Sequence, residues 1–92
     1  MISNLVAAGF KPIRFPDIEG DVYKLEVKVH KLHTSKKFLF AKIELEDSDI
    51  ATIEVYPDES IFASIWDWNT HEGPFNKYSD PGLSILRDVG VL

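Results

Sequence analysis

The clearest folding signal lies in residues 22–56, which read "VYKLEVKVHKLHTSKKFLFAKIELEDSDIATIEVY". In residues 23–30 every second side chain is apolar, and those between them are lysine, glutamate or histidine. Such alternation is typical of a strand with one buried face, because successive side chains point to opposite sides. Residues 37–46 and 50–56 repeat the alternation. Three such segments in succession predict three strands of an antiparallel meander.

Charges suggest a register for these strands, because opposite charges facing each other stabilise a sheet. Placing Glu26 opposite Lys42, and Lys42 opposite Glu54, puts one lysine between two glutamates. This register predicts a tight turn near residues 33–35 between the first two strands.

The flanking segments indicate helices and loops. Residues 2–9 predict a short helix that ends at a glycine, and Asp80 with the following proline predicts the start of a last helix. After Pro57 the apolar residues follow a helical stripe, which predicts another helix. The turn-forming residues of 11–21 and 69–82 predict loops, the first of them alternatively an edge segment. The predicted fold is α+β, with a three- or four-stranded antiparallel meander and two or three short helices packed on one face.

Length and composition favour a single soluble domain over residues 1–92. The chain is 45% hydrophobic and has no cysteine, which excludes disulfides and thiol chemistry. It has no apolar run long enough for a membrane helix and no signal-peptide pattern at its start. We therefore expect a cytoplasmic protein with no membrane contact.

No motif of catalysis or cofactor binding is present, so we expect no enzyme, no cofactor and no metal site. His30 and His33 are three residues apart, and in a strand that spacing puts them on opposite faces. The predicted turn beside them carries Lys31, Lys36 and Lys37. These lysines could bind phosphate, but a solvated turn is the more common role of such residues.

Charge is divided unevenly between the two parts of the chain. Residues 1–43 have a net charge of +4, and residues 44–92 have a net charge of −9. The stretch 44–72 holds no lysine or arginine. Its nine carboxylates are Glu44, Glu46, Asp47, Asp49, Glu54, Asp58, Glu59, Asp67 and Glu72.

An acidic surface repels phosphates, so we expect no direct binding of nucleic acid. Alternate residues of a strand lie roughly 6.6–7 Å apart on one face, close to the step between phosphates of a DNA strand. A folded acidic stretch could therefore imitate DNA and bind the basic site of a DNA-binding protein. The alternative is a solvated face that only keeps the protein soluble.

Aromatic residues suggest a second kind of surface. Phe38, Phe40 and Tyr56 fall on the polar side of the predicted meander, and Trp68 falls opposite Trp66 on the predicted helix. Exposed aromatic residues often mark an interface. They predict self-association, with a homodimer as the expected form. They also support an alternative function, that of a small structural or adaptor protein.

The strings "KLEVKVHKL", "AKIELEDSD" and "YPDESIFASIWDWN", together with the length and the lack of cysteine, resemble the Arn family of anti-restriction proteins from T-even bacteriophages. The resemblance implies a dimeric DNA mimic that inhibits the McrBC restriction endonuclease early in infection, with nucleoid proteins such as H-NS as further partners. At a net charge of −5 the chain is less acidic than many DNA mimics. Mimicry would then depend on local clustering of carboxylates.

Overall fold

A computed structural model describes residues 2–33, 39–66 and 69–92 of the chain. Its strands are β1 (Lys11–Ile13), β2 (Val22–Lys28), β3 (Ile50–Val55), β4 (Ser60–Ile65) and β5 (Thr70–Asn76). Its helices are α1 (Ile2–Ala7), α2 (Asp80–Asp88) and a 3-10 turn (Val29–Lys31). The five strands form one antiparallel sheet in chain order.

The α+β class and the antiparallel meander are confirmed, but the described part of the sheet has five strands rather than three or four. The two additional strands come from segments in which proline and glycine predicted loops. β1 contains Pro12, and β5 contains the cis peptide Gly73–Pro74. Both strands lie at the edges of the sheet, where a residue without an N–H breaks no ladder. The alternative of an edge segment within residues 11–21 is confirmed for β1, and the rest of this segment forms the predicted loop.

One face of the sheet carries the core. In β3 and β4 the side chains of alternate residues point to this face and are buried, and Leu5 of α1 and Ile85 of α2 pack into the same cluster. Both helices therefore contribute to the core on this one face. The buried apolar residues of β3 and β4 are Ala51, Ile53, Val55, Ile61, Ala63 and Ile65.

The predicted middle strand, 37–46, is wrong over the residues that the structure describes. Leu39 and Phe40 are neighbours and both are buried, at 0% and 2% exposure. A half-buried strand cannot bury two successive side chains on one side, because they point in opposite directions. Residues 40–49 instead form turns and irregular segments, and Leu39, Phe40, Ile43 and Leu45 pack in or against the core.

The registers predicted through Lys42 are therefore wrong as well. β2 pairs directly with β3, and Lys24 lies opposite Glu54 while Glu26 lies opposite Thr52. Opposite charges do face each other across β2 and β3. The lysine opposite Glu54 is Lys24 of β2, whereas the prediction placed Lys42 there. The predicted turn at 33–35 lies outside the described residues except for His33.

The helix predicted after Pro57 is wrong, because the segment forms β4. The apolar residues of this segment fit both the stripe of a helix and the alternation of a strand. Every second side chain is buried, as expected for a strand. Tyr56 and Ser60 close a three-residue hairpin loop, in which the Tyr56 N–H donates to the Ser60 carbonyl at 2.9 Å. Glu59 takes a φ of 69°, the left-handed conformation that this kind of loop needs at its last position.

The last helix agrees with its prediction. The Ser79 hydroxyl accepts from the Gly82 N–H at 3.1 Å, so the capping residue is one position before the predicted Asp80. Gly90, with a φ of 87°, follows the helix end. Gly82 lets the helix approach the end of β5, since a Cβ there would lie 1.9 Å from the Asn76 carbonyl oxygen.

Among the residues described, no helix is both long enough and apolar enough to cross a membrane.

Candidate functional site

The sheet has a second face, opposite the core, which we call the open face. Strand register defines its members, because residues paired across neighbouring strands share a face. Most of these side chains are exposed or half-buried. They are Lys24, Glu26, Thr52, Glu54, Phe62, Ser64 and His71.

An aromatic row crosses the open face. Phe15, from the β1–β2 connection, stacks on Tyr56 at a centroid distance of 6.4 Å. Tyr56 meets Phe62 edge to face at 5.1 Å, and Phe62 meets His71 in the same way at 4.6 Å. Burial raises the pKa of the Tyr56 hydroxyl, and the charge of Glu54 adds to the effect. The row is thus a half-buried apolar strip on an otherwise polar face.

The first acidic group lies in the turn before β3. The Glu46 N–H donates to the Asp49 carboxylate at 2.9 Å, and the Asp49 N–H donates to the Glu46 carbonyl at 3.0 Å. These two bonds hold the backbone of the turn. Glu44, Glu46 and Asp47 are exposed there. We call residues 44–49 the acidic turn.

The second acidic group lies in the β3–β4 turn. The backbone N–H and the hydroxyl of Ser60 both donate to one carboxylate oxygen of Asp58, at 3.0 and 2.5 Å. The hydroxyl bond is the main cause of the lowered pKa of Asp58. Glu59 accepts from the Lys77 ammonium, and this bond raises the pKa of Lys77.

The two acidic groups occupy opposite ends of the sheet. The acidic turn precedes β3 and the second group follows it, and a strand of this length separates them by roughly 17–20 Å. Glu54 lies between them on the open face, half-buried. Glu72 lies in the edge strand opposite Ala63. The described carboxylates of residues 44–72 therefore fall into two groups at opposite ends of β3, and Glu54 and Glu72 belong to neither group.

The predicted aromatic contacts have different outcomes. Tyr56 belongs to the aromatic row on the surface. Phe40 is buried in the core, so its side chain is not accessible to a partner of the folded chain. The other two predicted contact residues, Phe38 and Trp68, lie outside the described residues. Three further residues named in the sequence analysis also lie outside the described residues: Asp67, Lys36 and Lys37.

The histidines of the chain do not gather at one place among the described residues. No three histidine, aspartate or glutamate side chains among them come together as metal ligands. His30 and His33 are exposed beside Lys31, whereas His71 lies on the open face against Phe62. The chemistry that the surface offers is recognition by charge and by aromatic rings.

Three members of the aromatic row are not identified as surface contacts by the sequence patterns: Phe15, Phe62 and His71. Phe62 was assigned to the buried stripe of a helix that does not exist. Had residues 60–65 been taken as a strand, alternation would have placed Phe62 opposite its buried neighbours. No local signal marks Phe15 or His71, because their contacts join distant segments.

No protein-family model, no curated protein and no solved structure matches this chain.

Proposed function

We propose that the protein is a non-catalytic DNA mimic, which occupies the basic DNA-binding site of a host protein and so inhibits it. The observation that supports this most is the hydrogen-bonded anchoring of the acidic turn, through the Glu46 N–H and the Asp49 carboxylate. These two bonds fix the backbone positions from which the exposed side chains of Glu44, Glu46 and Asp47 extend. A partner then binds a surface that needs little ordering, which lowers the entropic cost of association.

The likeness to the Arn family suggests what this partner would be. The McrBC restriction endonuclease is the proposed target, with nucleoid proteins such as H-NS as further partners, in the cytoplasm of a bacterial host. A homodimer would join the acidic groups of two copies into a longer charged surface. Two of the residues predicted to form the dimer contact are described by the structure. Tyr56 lies at the surface, and Phe40 is buried.

The aromatic row favours a second candidate, a small adaptor that binds proteins through apolar contacts. Its ring contacts leave Phe62 half-buried and His71 exposed. The salt dependence of partner binding distinguishes the two candidate functions. Binding by carboxylates weakens as ionic strength rises, whereas an apolar contact changes little.

A direct test of mimicry combines inhibition with DNA competition. Purified McrBC is incubated with modified-cytosine DNA and increasing amounts of the protein, and cleavage is measured at several DNA concentrations. We expect inhibition that excess DNA relieves and that weakens with added salt, because both molecules would occupy one basic site. The same protein, immobilised, should release a captured partner when duplex DNA is added.

The matched variants are Glu44→Gln with Glu46→Gln, which remove two charges and keep the side-chain shape. We expect binding about threefold to tenfold weaker at low salt, from two exposed charge contacts. Asp80→Asn, at the other side of the molecule, is the single-charge control. Inhibition that neither salt nor duplex DNA reduces would contradict mimicry and favour the adaptor.

A further inference from the structure

A groove lies beside the aromatic row, between the β1–β2 connection and the β3–β4 turn. Its volume is about 520 Å³. The residues that matter for its chemistry are Asp17, Glu19, Tyr56, Asp58, Phe62 and Pro74.

The floor of the groove is apolar. The Tyr56 and Phe62 rings meet there edge to face, and Pro74 borders them. The bulge in β5 brings this proline to the groove, and it requires glycine at position 73. A Cβ on Gly73, whose φ is 134°, would lie 2.7 Å from the Ile61 carbonyl oxygen and 2.9 Å from the Phe62 ring.

The rim of the groove is acidic, and its charges are free to bind a cation. Two carboxylates at this end of the sheet are already paired: Asp21 lies 3.5 Å from Arg14, and Glu59 binds Lys77. The three that line the groove form no ion pair with any other described residue. These three are Asp17, Glu19 and Asp58. Among the described residues, no lysine, arginine or histidine lines the groove.

We propose that this groove binds an arginine side chain on an extended segment of a basic partner protein. A guanidinium group suits it better than an ammonium group, because a planar cation can stack on an aromatic ring while its N–H groups donate to carboxylates. Tyr56 supplies the ring, and Asp17 and Glu19 supply the acceptors. Asp58 is held in place by Ser60 and adds a third negative charge. The inference rests on the proposed function and names a contact by which the basic partner is recognised.

The probe is the tripeptide Gly-Arg-Gly with blocked ends, titrated into the ¹⁵N-labelled protein and followed by amide chemical shifts. We expect saturable shifts confined to residues 17–19 and 56–62. The same peptide with citrulline, which keeps the shape but not the charge, should cause no saturable shift. The lysine peptide should bind more weakly than the arginine peptide. Equal binding of the citrulline peptide would overturn the proposal.

Paired variants locate the site. Asp17→Asn with Glu19→Gln should weaken arginine-peptide binding roughly fivefold to tenfold, from the loss of two charge contacts. Glu44→Gln with Glu46→Gln removes the same charge at the other end of the sheet and should leave peptide binding unchanged. Equal weakening by both pairs, or shifts spread over the whole surface, would show non-specific attraction and overturn the proposal.

The failure of this inference differs from failure of the proposed function. If the peptide does not bind while DNA still competes with the protein for McrBC, the groove assignment alone is wrong. If the peptide binds the groove but duplex DNA releases no partner, the DNA-mimic function is wrong and the groove remains an arginine site.

Discussion

At the scale of single residues, Phe40 shows how a side chain assigned to an interface can instead belong to the core. Its position in an alternating segment predicted the polar side of a strand. In the fold it is 2% exposed, beside the fully buried Leu39. A buried phenylalanine contributes mainly to folding, because removing it loses apolar burial and leaves a cavity.

Replacing Phe40 by alanine should lower the free energy of unfolding by about 3–5 kcal/mol. Urea unfolding measures this change, and Phe40→Leu gives a milder variant in case the alanine variant does not fold. Tyr78→Ala is the control. This tyrosine is 71% exposed, with one cation–π contact to Lys77, so its loss should cost less than about 1 kcal/mol. A Phe40 variant of unchanged stability that breaks a dimer would contradict the core assignment.

At the scale of elements, the β3–β4 turn links local structure to the candidate groove. Its backbone bond from the Tyr56 N–H to the Ser60 carbonyl closes the hairpin, and its side-chain bonds fix Asp58. An aspartate at this position can also cap a helix. The same preference of an aspartate oxygen for nearby N–H groups serves a turn equally well, so the residue alone did not distinguish the two structures.

Hydrogen bonds from Ser60 lower the pKa of Asp58 below its ordinary value of 3.8, which predicts a pH-dependent contribution to stability. The contribution is present above the ordinary value, and it is lost as the pH falls through the lower pKa of the folded state. Ser60→Ala should therefore destabilise the protein at neutral pH, and its difference from the unchanged chain should shrink as the pH falls below the ordinary pKa of an aspartate.

Urea midpoints across this range measure the effect of Ser60→Ala. Ser64→Ala, a serine of the same strand and the same face, is the matched control and should show no such pH dependence. A Ser60→Ala difference that stays constant down to the lowest pH would mean that Asp58 is not linked to the stability of the turn.

At the scale of the whole molecule, stability and recognition occupy different parts of the sheet. Within the sheet, β3 and β4 carry most of the buried side chains. The edge strands are β1, with three residues, and the bulged β5. The acidic turn and the groove lie at opposite ends of the sheet. Charge changes at either place should therefore leave the core intact.

Hydrogen exchange should follow this division. We expect the slowest amides in β3 and β4, because opening them requires disruption of the core, and faster exchange in β1 and α1. Amide exchange followed by NMR gives the order within one sample, so no variant is needed. Exchange in β1 as slow as in β3 would contradict the assignment of the core to the central strands.

The sequence determined which short segments could fold and how. Alternation identified β2 and β3, Asp80 and Pro81 predicted the start of α2 to within one residue, and a glycine marked the end of α1. The excess of carboxylates after residue 43 was also plain. These features depend on neighbours within a few positions, so they can be read without knowing the fold.

Tertiary structure alone decided which segments meet. Alternation shows that a segment has an apolar side, but it does not show whether that side extends a sheet or covers one, and residues 39–45 cover it. In the same way, the number of carboxylates does not show which of them lie on one surface. The path of β3 divided them into two groups, and contacts between Phe15, Tyr56 and Phe62 joined distant segments into one strip. Long-range pairing is fixed by the packing of the whole core, and a local pattern cannot contain it.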